Sequence, residues 1–105
     1  MNDTLDFGIK DKVAIVAGGG AIGLDIGNGR AASILLAEAG AKVIVADKDE
    51  ELADNTVQMI ESRGGEAISI GGDLTKSDQC KKVVALALNS WGRLDIVDNN
   101  IGIAS

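Results

Sequence analysis

Four short apolar runs mark out the chain, at residues 12–17, 42–46, 67–70 and 94–97. The first, Lys12-Val13-Ala14-Ile15-Val16-Ala17, is continuous and rich in β-branched residues and stops at three glycines. A run of that kind reads as a strand buried on both faces, as in a parallel sheet. Between the runs the apolar period becomes helical. Ala31, Ile34, Leu35 and the stretch 37–39 suit a helix that opens at Gly29-Arg30 and is capped by Gly40. Asp49 is placed to cap a second helix, with Glu50 and Glu51 in its first turn and Leu52, Thr56, Met59 and Ile60 on its apolar side. Thr75 with Asp78 three residues later has the form of a capping box. The third helix behind it carries Cys80, Val83, Val84, Ala87, Leu88 and Trp91 on one face, and Gly92 closes it.

Strands that alternate with helices of this length imply βαβ units, right-handed crossovers and a parallel sheet. The expected architecture is α/β, a doubly wound sheet of four strands in the order 3-2-1-4. The first two helices are expected on one face and the third on the other. Residues 1–11 are expected to form a loosely held arm, and residues 12–105 a single folded domain.

Composition narrows the chemistry. The chain has 105 residues and a net charge of −6, a balance opposed to nucleic-acid and anionic-membrane partners. It contains no His, no Tyr and a single Cys. A Cys/His zinc site, an internal disulfide, a His-activated nucleophile and a phenolic acid/base are therefore all excluded for these residues. No apolar run reaches the ~18 residues of a membrane helix, and the acidic start is no secretory signal, so the expected address is cytoplasmic.

The candidate chemistry sits in the glycines. Six of the fourteen fall in residues 18–29, between a strand and a helix. Such a turn is a phosphate cradle, because glycine lets backbone approach an anion and the helix start offers free N–H groups. Gly18-x-Gly20-x-x-Gly23 fits the dinucleotide fingerprint literally, but its helix would have to run through Gly27 and Gly29. The spacing Gly23-x-x-x-Gly27-Asn28-Gly29 avoids that cost. It also leaves 18 residues from Gly29 to Asp47, near the roughly 20 expected before a ribose-binding acid. Alone, Asp47 would be an ordinary strand-end or capping acid. Behind a glycine loop it can accept hydrogen bonds from both adenosine ribose hydroxyls, which favours NAD over NADP. Lys48 beside it leaves room for NADP.

Four landmarks in order resemble the short-chain dehydrogenase/reductase family: the loop Gly18–Gly29, Asp47 after the second strand, Asp73-Leu74-Thr75 after the third, and Asn99-Asn100-Ile101-Gly102 after the fourth. The resemblance covers almost all of residues 10–105. It implies a Rossmann-like fold, with Asp73 on the adenine amino group, the Leu74 backbone flanking the ring, and Asn99 holding the central sheet near the cofactor. The Asn99, Asn100 and Gly102 turn belongs to the same cofactor-binding set. The sequence departs from the family pattern in three places. Ala17 stands where Thr is usual, the glycine loop is five residues longer, and Ile101 replaces Ala. The family's catalytic Ser, Tyr and Lys lie beyond the Asn-Asn-x-Gly turn and have no counterparts here.

The expected function is thus that of an NAD-dependent oxidoreductase represented by its adenosine-binding half, moving hydride between a secondary alcohol or ketone and nicotinamide. The alternative is a non-catalytic adenine-nucleotide-binding or self-assembling module of the same fold. A methyltransferase using S-adenosylmethionine would share the glycine loop and the strand-end acid, but Asp73-Leu74-Thr75 and Asn99-Asn100-x-Gly102 argue against it. An open edge at Leu94–Val97 and a sheet face covered by one helix lead us to expect a homo-oligomer.

Overall fold

The computed structural model describes residues 8–18 and 28–99, with Asn28 described by its backbone alone. The elements are β1 (Val13–Ala17), α1 (Asn28–Glu38), β2 (Lys42–Asp47), α2 (Glu50–Ser62), β3 (Glu66–Gly71), α3 (Ser77–Trp91) and β4 (Ile96–Asn99). All strand pairings are parallel, as the alternation of strand and helix patterns predicts, and the order is the expected β3-β2-β1-β4.

β1 is central because every one of its five residues is apolar and buried. Each fully buried Val or Ile contributes about 1.5–3 kcal/mol, which an edge position would forfeit. Its side chains alternate between two cores. Val16 joins Val43 and Val45 of β2 beneath α1 and α2, with Ala37, Ala53, Val57 and Ile60. Val13 and Ile15 join Ile44 and Ala46 on the other face, beneath Val83 and Ala87 of α3. The two-plus-one arrangement of helices is the doubly wound layout. Ile9, ahead of β1, packs against the first core, and the Asp11 amide donates to the Gly40 carbonyl at 3.0 Å.

Local chemistry accounts for several element ends. Asp49 caps α2, its Oδ1 accepting from the Glu51 amide at 3.0 Å. Gly92 ends α3 in the left-handed region at φ 76°, where its amide donates to the Leu88 carbonyl.

Four sequence expectations are corrected. Thr75 does not cap α3: the cap residue is Lys76, with no side-chain capping bond. α1 turns Ser33 and Ala37 to the core and leaves Leu35 65% exposed. α2 buries Ala53, Thr56, Val57 and Ile60 and leaves Met59 outside. The fourth strand lies two residues further on than its apolar run. Leu94 is drawn into the α3-side core, and the ladder runs from Ala14 opposite Ile96 to Ala17 opposite Asn99. Backbone pairing with β1 thus brings polar Asp98 and Asn99 into a strand that their side chains would not favour.

Candidate functional site

The parallel register sets the carboxyl ends of the strands side by side. Ala17 lies opposite Ala46 and Asn99, and Asp47 lies opposite Gly71. Ligands of open α/β sheets bind outside these ends, where the strand order reverses. Here the reversal falls at β1, between β2 and β4.

Beside it, over the ends of β2 and β3, opens a hollow of about 100 Å³ lined by Gly18, Ala46, Asp47, Lys48, Gly72, Asp73, Leu74 and Thr75. Gly18 makes the turn out of β1 at φ 77°, a left-handed conformation that L side chains resist, and its amide donates to the Ala46 carbonyl at 2.7 Å. The Gly72 amide donates to the Asp47 carbonyl at 3.1 Å, which holds the exits of β2 and β3 together. The Asp47 Oδ1 accepts from the Asp49 amide at 2.9 Å, an Asx turn that orients the carboxylate at the strand end. The Asp73 Oδ1 accepts from both the Thr75 hydroxyl, at 2.6 Å, and the Thr75 amide, at 3.0 Å. Those two bonds, hydroxyl first, hold the Asp73 carboxyl below the ordinary aspartate range, with help from the charges of Lys48 and Lys76. Two carboxylates, acceptors only, thus share a pocket with an apolar wall at Leu74.

Of the residues singled out from sequence, Gly18, Asp47, Lys48, Asp73 and Leu74 come together in this hollow. Asn99 instead lines a neighbouring apolar hollow of about 120 Å³ on the α3 side, with Ile15, Ala17, Cys80, Val83, Val84 and Val97, and the two hollows share Leu74. Asn28 opens α1, and the buried Gly29 offers its carbonyl to the Ser33 hydroxyl at 2.8 Å. Gly23, Gly27, Asn100 and Gly102 lie outside the described residues. The sequence reading missed Thr75 as a partner of Asp73. The two-residue spacing of Asp73 and Thr75 carried the signal, since Asp side chains bond backbone two residues on. Arg30 does not turn toward the hollow with its Nε, which donates to Thr56 Oγ1 of α2 at 2.9 Å.

Among the described residues no helix is long and apolar enough to cross a membrane.

Comparison with known proteins agrees with this geometry. The family model for short chain dehydrogenases matches residues 12–105. An uncharacterized oxidoreductase of Thermotoga maritima is 41% identical over 94 residues, covering 90% of this chain but 35% of the relative. A short-chain dehydrogenase/reductase homologue of Bacillus subtilis, YusS, is 36% identical over 96 residues, with 90% of this chain and 84% of the relative covered. A crystal structure assigned to the short-chain dehydrogenase/reductases, from Burkholderia xenovorans, superposes with a TM-score of 0.82 at 39% identity, covering 92% of this chain and 38% of that one. The chain therefore spans little more than a third of the length of most of these relatives. The order of the strands, the pocket at their carboxyl ends and the match over residues 12–105 lead to one conclusion: this chain belongs to the short-chain dehydrogenase family.

Proposed function

We propose that this chain binds the adenosine half of a nicotinamide dinucleotide, NAD in preference to NADP, as part of an oxidoreductase that moves hydride between a secondary alcohol or ketone and the nicotinamide. One observation carries the reading: Asp47 and Asp73 line a single hollow beside the Gly18 turn, at the carboxyl ends of β2 and β3. The donor and acceptor chemistry fits. Ribose hydroxyls and the adenine amino group donate, and the two carboxylates accept. Asp47 is the ribose acceptor in this reading, and its charge opposes a 2′-phosphate. Asp73 is the adenine acceptor, with Leu74 along the ring. By sequence motif, this reading assigns Gly18, Gly23, Gly27, Asn28 and Gly29 to the pyrophosphate and Asn99, Asn100 and Gly102 to the cofactor's second half. The bound dinucleotide would supply the hydride chemistry.

Residues 12–105 act in this reading as one binding unit in the cytoplasm, with no nucleic-acid or membrane partner. The reading includes self-association. Val84, Leu88 and Val97 are 36%, 49% and 63% exposed on the α3 face, and among the described residues β4 has β1 as its one partner strand. An exposed apolar patch on a strand with one partner strand among the described residues favours a second copy.

Calorimetric titration with NAD and NADP tests the cofactor assignment. NAD is expected to bind more tightly, and Asp47→Ala to erase the difference. Equal or tighter NADP binding by the unaltered chain would overturn the assignment.

A further inference from the structure

The geometry points to Thr75 as a positioning residue that locks Asp73 to read the amino edge of adenine and to reject hypoxanthine; this rests on the dinucleotide reading above. Asp73 is held from both sides. Behind it, the Gly72 amide is tied to the Asp47 carbonyl, which fixes where the backbone leaves β3. Ahead of it, Thr75 places two donors, Oγ1 at 2.6 Å and the amide at 3.0 Å, on the same oxygen, Oδ1. Among the described residues no donor reaches Oδ2. The carboxylate therefore keeps one oxygen spoken for and one available, in a fixed orientation, in a hollow whose wall includes Leu74.

Among the described residues the Thr75 hydroxyl donates to Asp73 alone. The cap of α3 is Lys76, and α3 begins without a side-chain capping bond. A threonine just ahead of a helix usually caps it; this one is spent on Asp73 instead.

The consequence follows from the base edges. Adenine presents an N6–H donor beside the N1 acceptor, whereas hypoxanthine presents an O6 acceptor beside an N1–H donor. A carboxylate only accepts. Locked opposite the amino group, Oδ2 takes a hydrogen bond from adenine and meets a lone pair in hypoxanthine. To recover a bond with hypoxanthine the carboxylate must swing toward N1–H, and the two Thr75 bonds oppose that swing. Selectivity then depends on the lock as well as on the charge. A site built to pair with a particular group discriminates strongly against the analogue that leaves it unpaired.

The test compares NAD with nicotinamide hypoxanthine dinucleotide by calorimetry on the full chain and on the Thr75→Val and Thr75→Ser variants. The unaltered chain is expected to prefer NAD by ~10-fold or more, the scale of one hydrogen bond to a charged group. Thr75→Val should bring the two affinities within about threefold, since it removes the shorter of the two bonds and leaves the amide alone to hold the carboxylate. Thr75→Ser should restore the preference. NMR titration gives a second readout: the Asp73 carboxyl should rise toward the ordinary aspartate range in Thr75→Val and stay low in Thr75→Ser. NAD binding with an unchanged ratio in Thr75→Val would overturn the positioning role alone. Failure of the unaltered chain to bind either dinucleotide would overturn the dinucleotide reading, and this assignment with it.

Discussion

Val13 and Asp95 exchange hydrogen bonds at the entrance of the sheet. The Asp95 amide donates to the Val13 carbonyl at 2.9 Å, and the Val13 amide donates to the Asp95 Oδ2, also at 2.9 Å. The carboxylate serves a second partner, Arg93, whose Nε and Nη2 reach Oδ2 and Oδ1 at 2.8 and 2.9 Å. One side chain thus satisfies the first amide of β1, braces the approach to β4 and starts the β1–β4 ladder one residue later, at Ala14 and Ile96.

Stability should therefore depend on the charge of Asp95. Arg93, first, and the Val13 amide hold its carboxyl below the ordinary aspartate range. A carboxyl that is more acidic in the folded state contributes stability that is fully present above its unfolded pKa and is lost as the pH falls through the folded one. The Arg93 guanidinium, held above its already high ordinary value, stays charged throughout that window. Thermal melts run downward from neutral pH should show this loss at and below the aspartate range. Asp95→Ala should lower the melting temperature at neutral pH and weaken its dependence on acid. A variant with the acid dependence of the unaltered chain would show that Asp95 does not carry it.

The contact between α1 and α2 has a polar pin. Thr56 is fully buried, accepts from Arg30 Nε at 2.9 Å and donates to the Leu52 carbonyl at 3.3 Å. Thr56→Val keeps the shape and removes the acceptor. Denaturant unfolding should show a loss of about 1 kcal/mol, the net worth of one hydrogen bond whose other partner still reaches water. A neutral or stabilising result would mean that Arg30 contributes through its stem alone.

The α3 face is the place to look for self-association. Light scattering of the unaltered chain at micromolar concentration should report a species larger than a monomer. Val97→Lys puts a charge on β4, in the middle of the exposed apolar patch, and should return the monomer, because a lysine on an edge strand opposes pairing. A monomeric unaltered chain with intact secondary structure would remove the oligomer from the proposal.

Much of this fold was legible in the chain itself. An unbroken run such as Val13–Ala17 has no polar side to give to water, so it needs apolar cover on both faces, and a parallel sheet between helices supplies that cover. The cap at Asp49 and the stop at Gly92 were legible for a related reason, since each is made by residues within a few positions of one another. Asp47 and Asp73 could be placed side by side because Asp47 ends β2 and Asp73 lies two residues past the end of β3, and parallel strands bring such positions to one edge.

The remainder depended on partners distant in sequence. Leu35 and Met59 fit the apolar periods of their helices, yet they stay outside while Ala37 and Ala53 enter the core. Nothing in Leu94-Asp95-Ile96-Val97 says that the ladder begins at Ile96. That is set by a carboxylate reaching the Val13 amide 82 residues away. Thr75 had two acceptable uses, as a cap of α3 or a partner of Asp73, and the folded chain gives it to Asp73. Patterns along the chain specify which residues must leave water; the choice of contact each one then makes is set by the geometry of neighbours that the sequence separates and the fold brings together.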